Sequence, residues 1–152
     1  MMTLLCVLAI LAGAAIAVQA AMNAQLGVLL NNAMLATSVA FLTSFVLVIT
    51  VVSLSTKNYP SASSLSNVPW YLWLGGVFSA FGVSAFYYLI PKMGIGSMMS
   101  FALSGQIVVA MIASHMGWFS LPVKALDGSK ILGTVLLICG VILVNWESKN
   151  GY

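Results

Sequence analysis

Arginine is absent from this chain, acids number two and histidine one among 152 residues. So little charge closes several routes at once. The acids, Asp127 and Glu147, stand at the ends of apolar segments, so no carboxylate pair is placed for general acid and base work. No HExxH, Gly-x-Ser-x-Gly, phosphate-binding loop or GxGxxG occurs. A Ser/His/Asp set could be drawn only from His115 and Asp127 across a loop, so an intramembrane enzyme is disfavoured. The cysteines, Cys6 and Cys139, lie in apolar runs near opposite ends and lack metal-ligand spacing, which makes them small packing residues; neither metal nor cofactor is expected. The five lysines are scattered singly and form no stripe that could follow a phosphate backbone, so nucleic acid is no partner.

What the chain has in abundance is apolar surface. Hydrophobic residues make up 62% and charged residues 5% of the sequence, against about 25% charged in soluble domains. With a mean hydropathy of +1.12, this is the composition of an integral membrane protein. Five apolar segments are separated by polar punctuation, at about residues 4–30, 35–54, 69–90, 95–114 and 131–146. Each is close to the roughly 20 residues that cross hydrocarbon. The expected fold is therefore all-α, a polytopic membrane protein of five transmembrane helices forming one domain over residues 1–152. Leu4 to Ile16 could alternatively be the core of a cleaved signal peptide, but Met1-Met2-Thr3 supplies no basic residue, so the segment is read as a span. Pro91-Lys92 is read as the break after the third segment. Trp70, Tyr71, Trp73, Tyr87, Tyr88, Trp118 and Trp146 fall at segment ends, where amphipathic rings sit in a membrane interface.

The intramembrane amides call for more explanation than the oily background. Residues four apart share a helix face, so Gln19 and Asn23 project together from the first span, with Ala15 and Gly27 in the same column. In the fourth span Gln106 is flanked by Ala102, Ala110 and Ser114. An amide in hydrocarbon needs a partner and small neighbours admit another helix, so these columns should face protein or a cavity. Gln19, Asn23 and Gln106 are the candidate substrate-binding residues. Gly76, Ala80 and Ser84 in the third span, with Ala102 and Ala110, are candidate helix-packing positions; Ala36, Ala40 and Ser44 form a similar column. His115 falls at the end of the fourth span and reads as interfacial. The plain alternative for the amides is interhelical glue, at roughly 0.6 kcal/mol per contact.

Orientation is weakly instructed. In a five-span chain Lys57, Lys124 and Lys130 share one side of the membrane and Lys92 and Lys149 the other, so the positive charges are three against two. A difference of one is compatible with a single orientation or with insertion both ways.

The ordered set Gln19-x-x-x-Asn23-x-x-Leu26-Gly27, Trp73-x-Gly75-Gly76, Pro91-x-x-Gly94, Gly105-Gln106, His115-x-Gly117 and Gly133 to Gly140 resembles the five-helix YdcZ-type branch of the drug/metabolite transporter superfamily over essentially the whole chain. The family pattern commonly has an aspartate before the histidine; here that position is Ser114, which weakens any proton-coupling role there. The resemblance implies a half-transporter in a bacterial inner membrane, an exporter of a small organic solute. Its partners would be membrane lipids, the solute and a second copy of itself. Larger members of the superfamily are similar to two five-helix halves of opposite orientation, so a homodimer working by alternating access, with an antiparallel arrangement permitted by the lysine count, is the implied assembly. Within it Pro91 and Gly94 would form a tight turn. An accessory subunit of a larger membrane complex is the alternative, and a channel would differ by flux without saturation. Aligned neutral amides would tolerate neutral or cationic solutes.

Overall fold

The computed structural model describes residues 2–146; Glu147 and Lys149 lie outside them. The described residues are 86% helical, contain no strand and include five helices long and apolar enough to cross a membrane. These are α1 (Met2–Leu29), α2 (Ala33–Ser55), a span at Trp70–Met93 that begins as a 3-10 turn (Trp70–Leu74) and continues as α4 (Gly75–Met93), α5 (Ile95–Met116) and α6 (Gly128–Trp146). A short α3 (Ala62–Ser66) punctuates the polar loop before the third span, with the Ser61 hydroxyl capping it by accepting from Ser64 N–H at 3.2 Å. The shortest span has 19 residues, about 28 Å of helix, close to the thickness of a hydrocarbon core of about 30 Å. The chain divides into two compact units, Met1–Lys92 and Met93–Tyr152.

In the first unit, Asn31-Asn32 makes the link between α1 and α2 as short as a link can be. Asn31 takes a left-handed conformation (φ 51°) and donates its backbone N–H to Val28 C=O at 3.0 Å, while Asn32 N–H reaches Gly27 C=O at 2.9 Å. That pair of bonds closes the helix in a Schellman motif, in which asparagine is the usual substitute for glycine. Asn32 then caps the next helix, its side-chain oxygen accepting from Met34 N–H at 2.9 Å and Leu35 N–H at 3.2 Å. With so short a turn the two helices run antiparallel in contact. Ala20, Ala24 and Gly27 are buried on α1, and Ala36, Thr37 and Ala40 on α2. A methyl group added at Gly27 would stand 3.3 Å from Ala33 Cα, so the missing side chain is what allows the approach.

α4 does not end at Pro91 as the sequence suggests. It runs on through Pro91 and Lys92 to Met93 and stops at Gly94, whose φ of 82° is left-handed. The proline forfeits only the bond its own nitrogen would have given to the Tyr87 carbonyl. One missing bond in a last turn is tolerated where a glycine three residues later ends the helix. The break between α4 and α5 therefore falls at Gly94, with Pro91 inside the helix before it.

In the second unit α5 and α6 pack together. Met98 and Val141 are buried, Asn145 Nδ2 donates to Ser100 Oγ at 3.0 Å and to Val141 C=O at 2.7 Å, and Thr134 Oγ1 donates to Met111 Sδ at 2.6 Å. Between the helices the chain folds back on the end of α5, where Lys124 N–H meets Ser114 C=O at 3.0 Å and Leu126 N–H meets His115 Nδ1 at 3.3 Å. Asp127 opens α6 by accepting from Lys130 N–H at 2.9 Å, and its carboxylate pairs with Lys130 Nζ at 3.1 Å. The backbone N–H of Lys130 first, then its ammonium, hold the Asp127 carboxyl below its ordinary range.

Gly117 ends α5 with φ 63°, and a methyl group there would come within 2.8 Å of Val123 Cγ2. Gly117→Ala is therefore expected to lower stability in detergent by about 1–2 kcal/mol from the left-handed backbone alone, plus the clash. Adding Val123→Ala should recover the second part and leave the first, as measured by thermal unfolding of the two variants.

Candidate functional site

The polar residues of α1 meet a partner that the sequence reading had assigned to the interface. Gln19 Nε2 donates to Tyr87 Oη at 2.7 Å and Asn23 Nδ2 donates to the same oxygen at 3.0 Å. Tyr87 is only 2% exposed, whereas its neighbour Tyr88 is 55% exposed, so one ring is enclosed by helices and the other is a surface ring. Consecutive residues on a helix point about 100° apart, which is enough to separate the two environments. One turn earlier on α4, Ser84 Oγ donates to Thr37 Oγ1 at 3.1 Å, and Thr37 returns its own proton to Ala33 C=O at 2.9 Å. The buried polar seam of the first unit thus consists of Gln19, Asn23 and Tyr87, with Thr37 and Ser84 beside it.

The seam is not saturated. Tyr87 Oη accepts two bonds, which leaves its O–H proton unspent, and both amides retain their carbonyl oxygens. No buried side-chain nitrogen or oxygen is without a partner among the described residues, so the unpaired amide oxygens lie where another group can reach them, whereas the Tyr87 hydroxyl is enclosed behind them. Gln19 stays exposed on one side and Asn23 is half-buried. Chemically the seam can offer hydroxyl and amide N–H donors and carbonyl acceptors, all uncharged, from a unit whose residues 1–92 contain no carboxylate.

The other anticipated residues have different surroundings. Gln106, in the second unit, is exposed in the middle of α5 and makes no hydrogen bond. Ala102 is half-buried and Ala110 exposed. Gly76 is exposed with nothing within 4 Å of where a side chain would begin. Ala80 and Ser84 are half-buried and line an apolar cavity of about 390 Å3 together with Ala33, Met34, Phe81 and Tyr88. Tyr87 and Thr37 were not singled out as site residues from the sequence. A signal existed, because Ala80, Ser84 and Tyr87 follow the i, i+4, i+7 spacing of a single helix face, so the small-residue column of the third span points to Tyr87.

The family model described as "Putative inner membrane exporter, YdcZ" matches residues 4–143. The chain belongs to the YdcZ family. The match takes in all of α2, α4 and α5, nearly all of α1 and most of α6, and with it Gln19, Asn23, Tyr87 and Gln106. No curated protein and no solved structure matches the chain. Membership and five apolar helices together make it a protein of the inner membrane, and an exporter family points to transport rather than to catalysis.

Proposed function

We propose that this YdcZ-family protein exports a small organic solute by alternating access as a homodimer of drug/metabolite transporter type, with the Gln19, Asn23 and Tyr87 seam making the polar contacts to the solute. The observation that carries the reading is the convergence of two amides on one phenol inside an otherwise apolar helix unit, with donors and acceptors left over. Glue alone would be satisfied by a single paired amide. A seam that keeps an O–H and two carbonyls available suits an uncharged solute able both to donate and to accept. Gln106, exposed and unpaired on α5, offers a further amide to the solute or to a second copy. The homodimer is supported by the open surroundings of Gly76 on a small-residue face of α4, and the balance of lysines allows it to be antiparallel.

Flux of candidate solutes from reconstituted vesicles tests the reading, with counterflow separating a carrier from a channel. In that assay Gln106→Leu, which keeps the size and removes the amide, should abolish transport and leave the protein inserted and folded. Normal flux would remove Gln106 from the site, and a collapsed protein would make it a structural residue. Gly76→Leu reports on assembly. Because nothing described in its own unit comes within 4 Å of a side chain started at Gly76, that unit should fold as before, and a loss of the crosslinked dimer would then point to a partner against that face. An unchanged dimer would put the interface elsewhere.

A further inference from the structure

At the membrane face of the first unit where α1, α2 and α4 end or begin, a second cavity opens between the α1–α2 turn and the last turn of α4. It measures about 260 Å3, and its lining includes Asn31, Asn32, Tyr87, Tyr88 and Lys92. Its side chains include three donors, the Asn31 and Asn32 amides and the Lys92 ammonium, beside the Tyr87 hydroxyl, which accepts from α1. Asn32 spends its side-chain oxygen on Met34 and Leu35 N–H, which leaves its NH2 as the free end. Asn31 is fixed in the turn by its backbone and its side chain makes no hydrogen bond. Lys92 is exposed and folds back along its own helix onto Tyr88. Its ammonium stands 3.8 Å over the Tyr88 ring and gives one proton to the Tyr88 hydroxyl, which leaves two. Residues 1–92 contain no Asp or Glu, so nothing in this unit balances that charge.

We propose that this cavity binds an oxyanion of the phosphate type, with Lys92 supplying the charge, Tyr88 holding the ammonium in place, and the Asn31 and Asn32 amides donating to the remaining oxygens. The site lies at the depth where helices leave the hydrocarbon, which is the depth of a phospholipid headgroup. Its volume is below the roughly 300 Å3 at which pockets for whole small molecules begin, which suits a headgroup or a free phosphate. The proposal does not depend on the exported solute and stands or falls by binding alone.

The experiment uses the whole protein purified in detergent, where membrane orientation has no influence, and reads the rise of its unfolding temperature against the concentration of phosphatidylglycerol, phosphatidylcholine or inorganic phosphate. Phosphatidylglycerol should bind more tightly than phosphatidylcholine. Lys92→Gln should weaken it about five-fold, the contribution of one basic residue near a membrane surface. Lys92→Arg should retain it, and Lys57→Gln, at the other lysine of the unit, should leave it unchanged. Asn31→Gly keeps the left-handed turn and removes the amide, so it should weaken binding with the fold intact and decides the matter if Lys92→Gln does not yield folded protein. Protection by phosphatidylglycerol alone assigns the site to a lipid headgroup, whereas protection or competition by inorganic phosphate assigns it to a free oxyanion. Equal binding of both lipids with no effect of phosphate overturns the proposal. So does wild-type affinity in Lys92→Gln or Asn31→Gly, or an equal loss in Lys57→Gln.

Discussion

Tyr87→Phe is expected to cut export about tenfold or more in reconstituted vesicles, the effect of losing one hydrogen bond of about 1.4 kcal/mol to the solute, while the five helices stay inserted. The substitution removes one oxygen and little volume. It withdraws the acceptor used by both Gln19 and Asn23 and the O–H that the seam leaves available. The structural cost should be small, because interhelical hydrogen bonds in membranes average about 0.6 kcal/mol and two of them come to about 1 kcal/mol. Glue and solute contact therefore predict different ratios of transport loss to stability loss. If the seam is glue, Tyr87→Phe lowers stability and leaves the flux per folded molecule unchanged. If it holds the solute, flux per folded molecule falls in addition to the same small loss of stability. Gln19→Leu and Asn23→Leu, alone and combined with Tyr87→Phe, complete the measurement. Residues that act on one solute group through one phenol should show strongly non-additive losses, and additive ones would break the seam into independent contacts.

Most of the helical layout could be read from the sequence because its cause is local. An apolar run of about 20 residues has few alternatives to a span, and Asn31-Asn32 or Gly117 stops a helix by its own backbone preference. The errors lie where local preference is weak. Pro91 predicts a break, yet its cost is one hydrogen bond, and the helix continues to Gly94. Half of the candidate site was visible for the same reason: Gln19 and Asn23 share a face by spacing alone. Their partner was not, because Tyr87 and Tyr88 are the same residue type at the same depth. Only the packing of α4 against α1 decides which ring is enclosed. Thr37 was hidden among the small residues of α2, and its role depends on Ser84, 47 positions away. Gln106 was legible as an unusual residue, but its exposure on α5 could not be inferred, since small neighbours are equally compatible with an enclosed face and an open one.

Orientation should be poised closely enough for two added charges to settle it. With five spans Lys57, Lys124 and Lys130 would share one side and Lys92 and Lys149 the other, three against two, and the positive-inside rule responds to the difference. Leu29 and Leu30 are exposed at the end of α1, where added cations also suit the helix C-terminus and leave the Asn31-Asn32 turn intact. Leu29→Arg with Leu30→Arg changes three against two into three against four. Asn58→Arg with Tyr59→Arg, in the exposed loop beside Lys57, makes it five against two. Reporter tags at the C-terminus should show the unmodified protein in both orientations and each pair of arginines in one. If the working unit is an antiparallel dimer, each biased variant alone should lose export and co-expression of the two should restore it, because together they supply both orientations. Restoration cannot be ascribed to the mutated surfaces, since each variant keeps its own Gln19, Asn23 and Tyr87. A single orientation in the unmodified protein, or full export by one biased variant alone, would exclude the antiparallel dimer and leave a parallel dimer or an accessory subunit as the assembly to test.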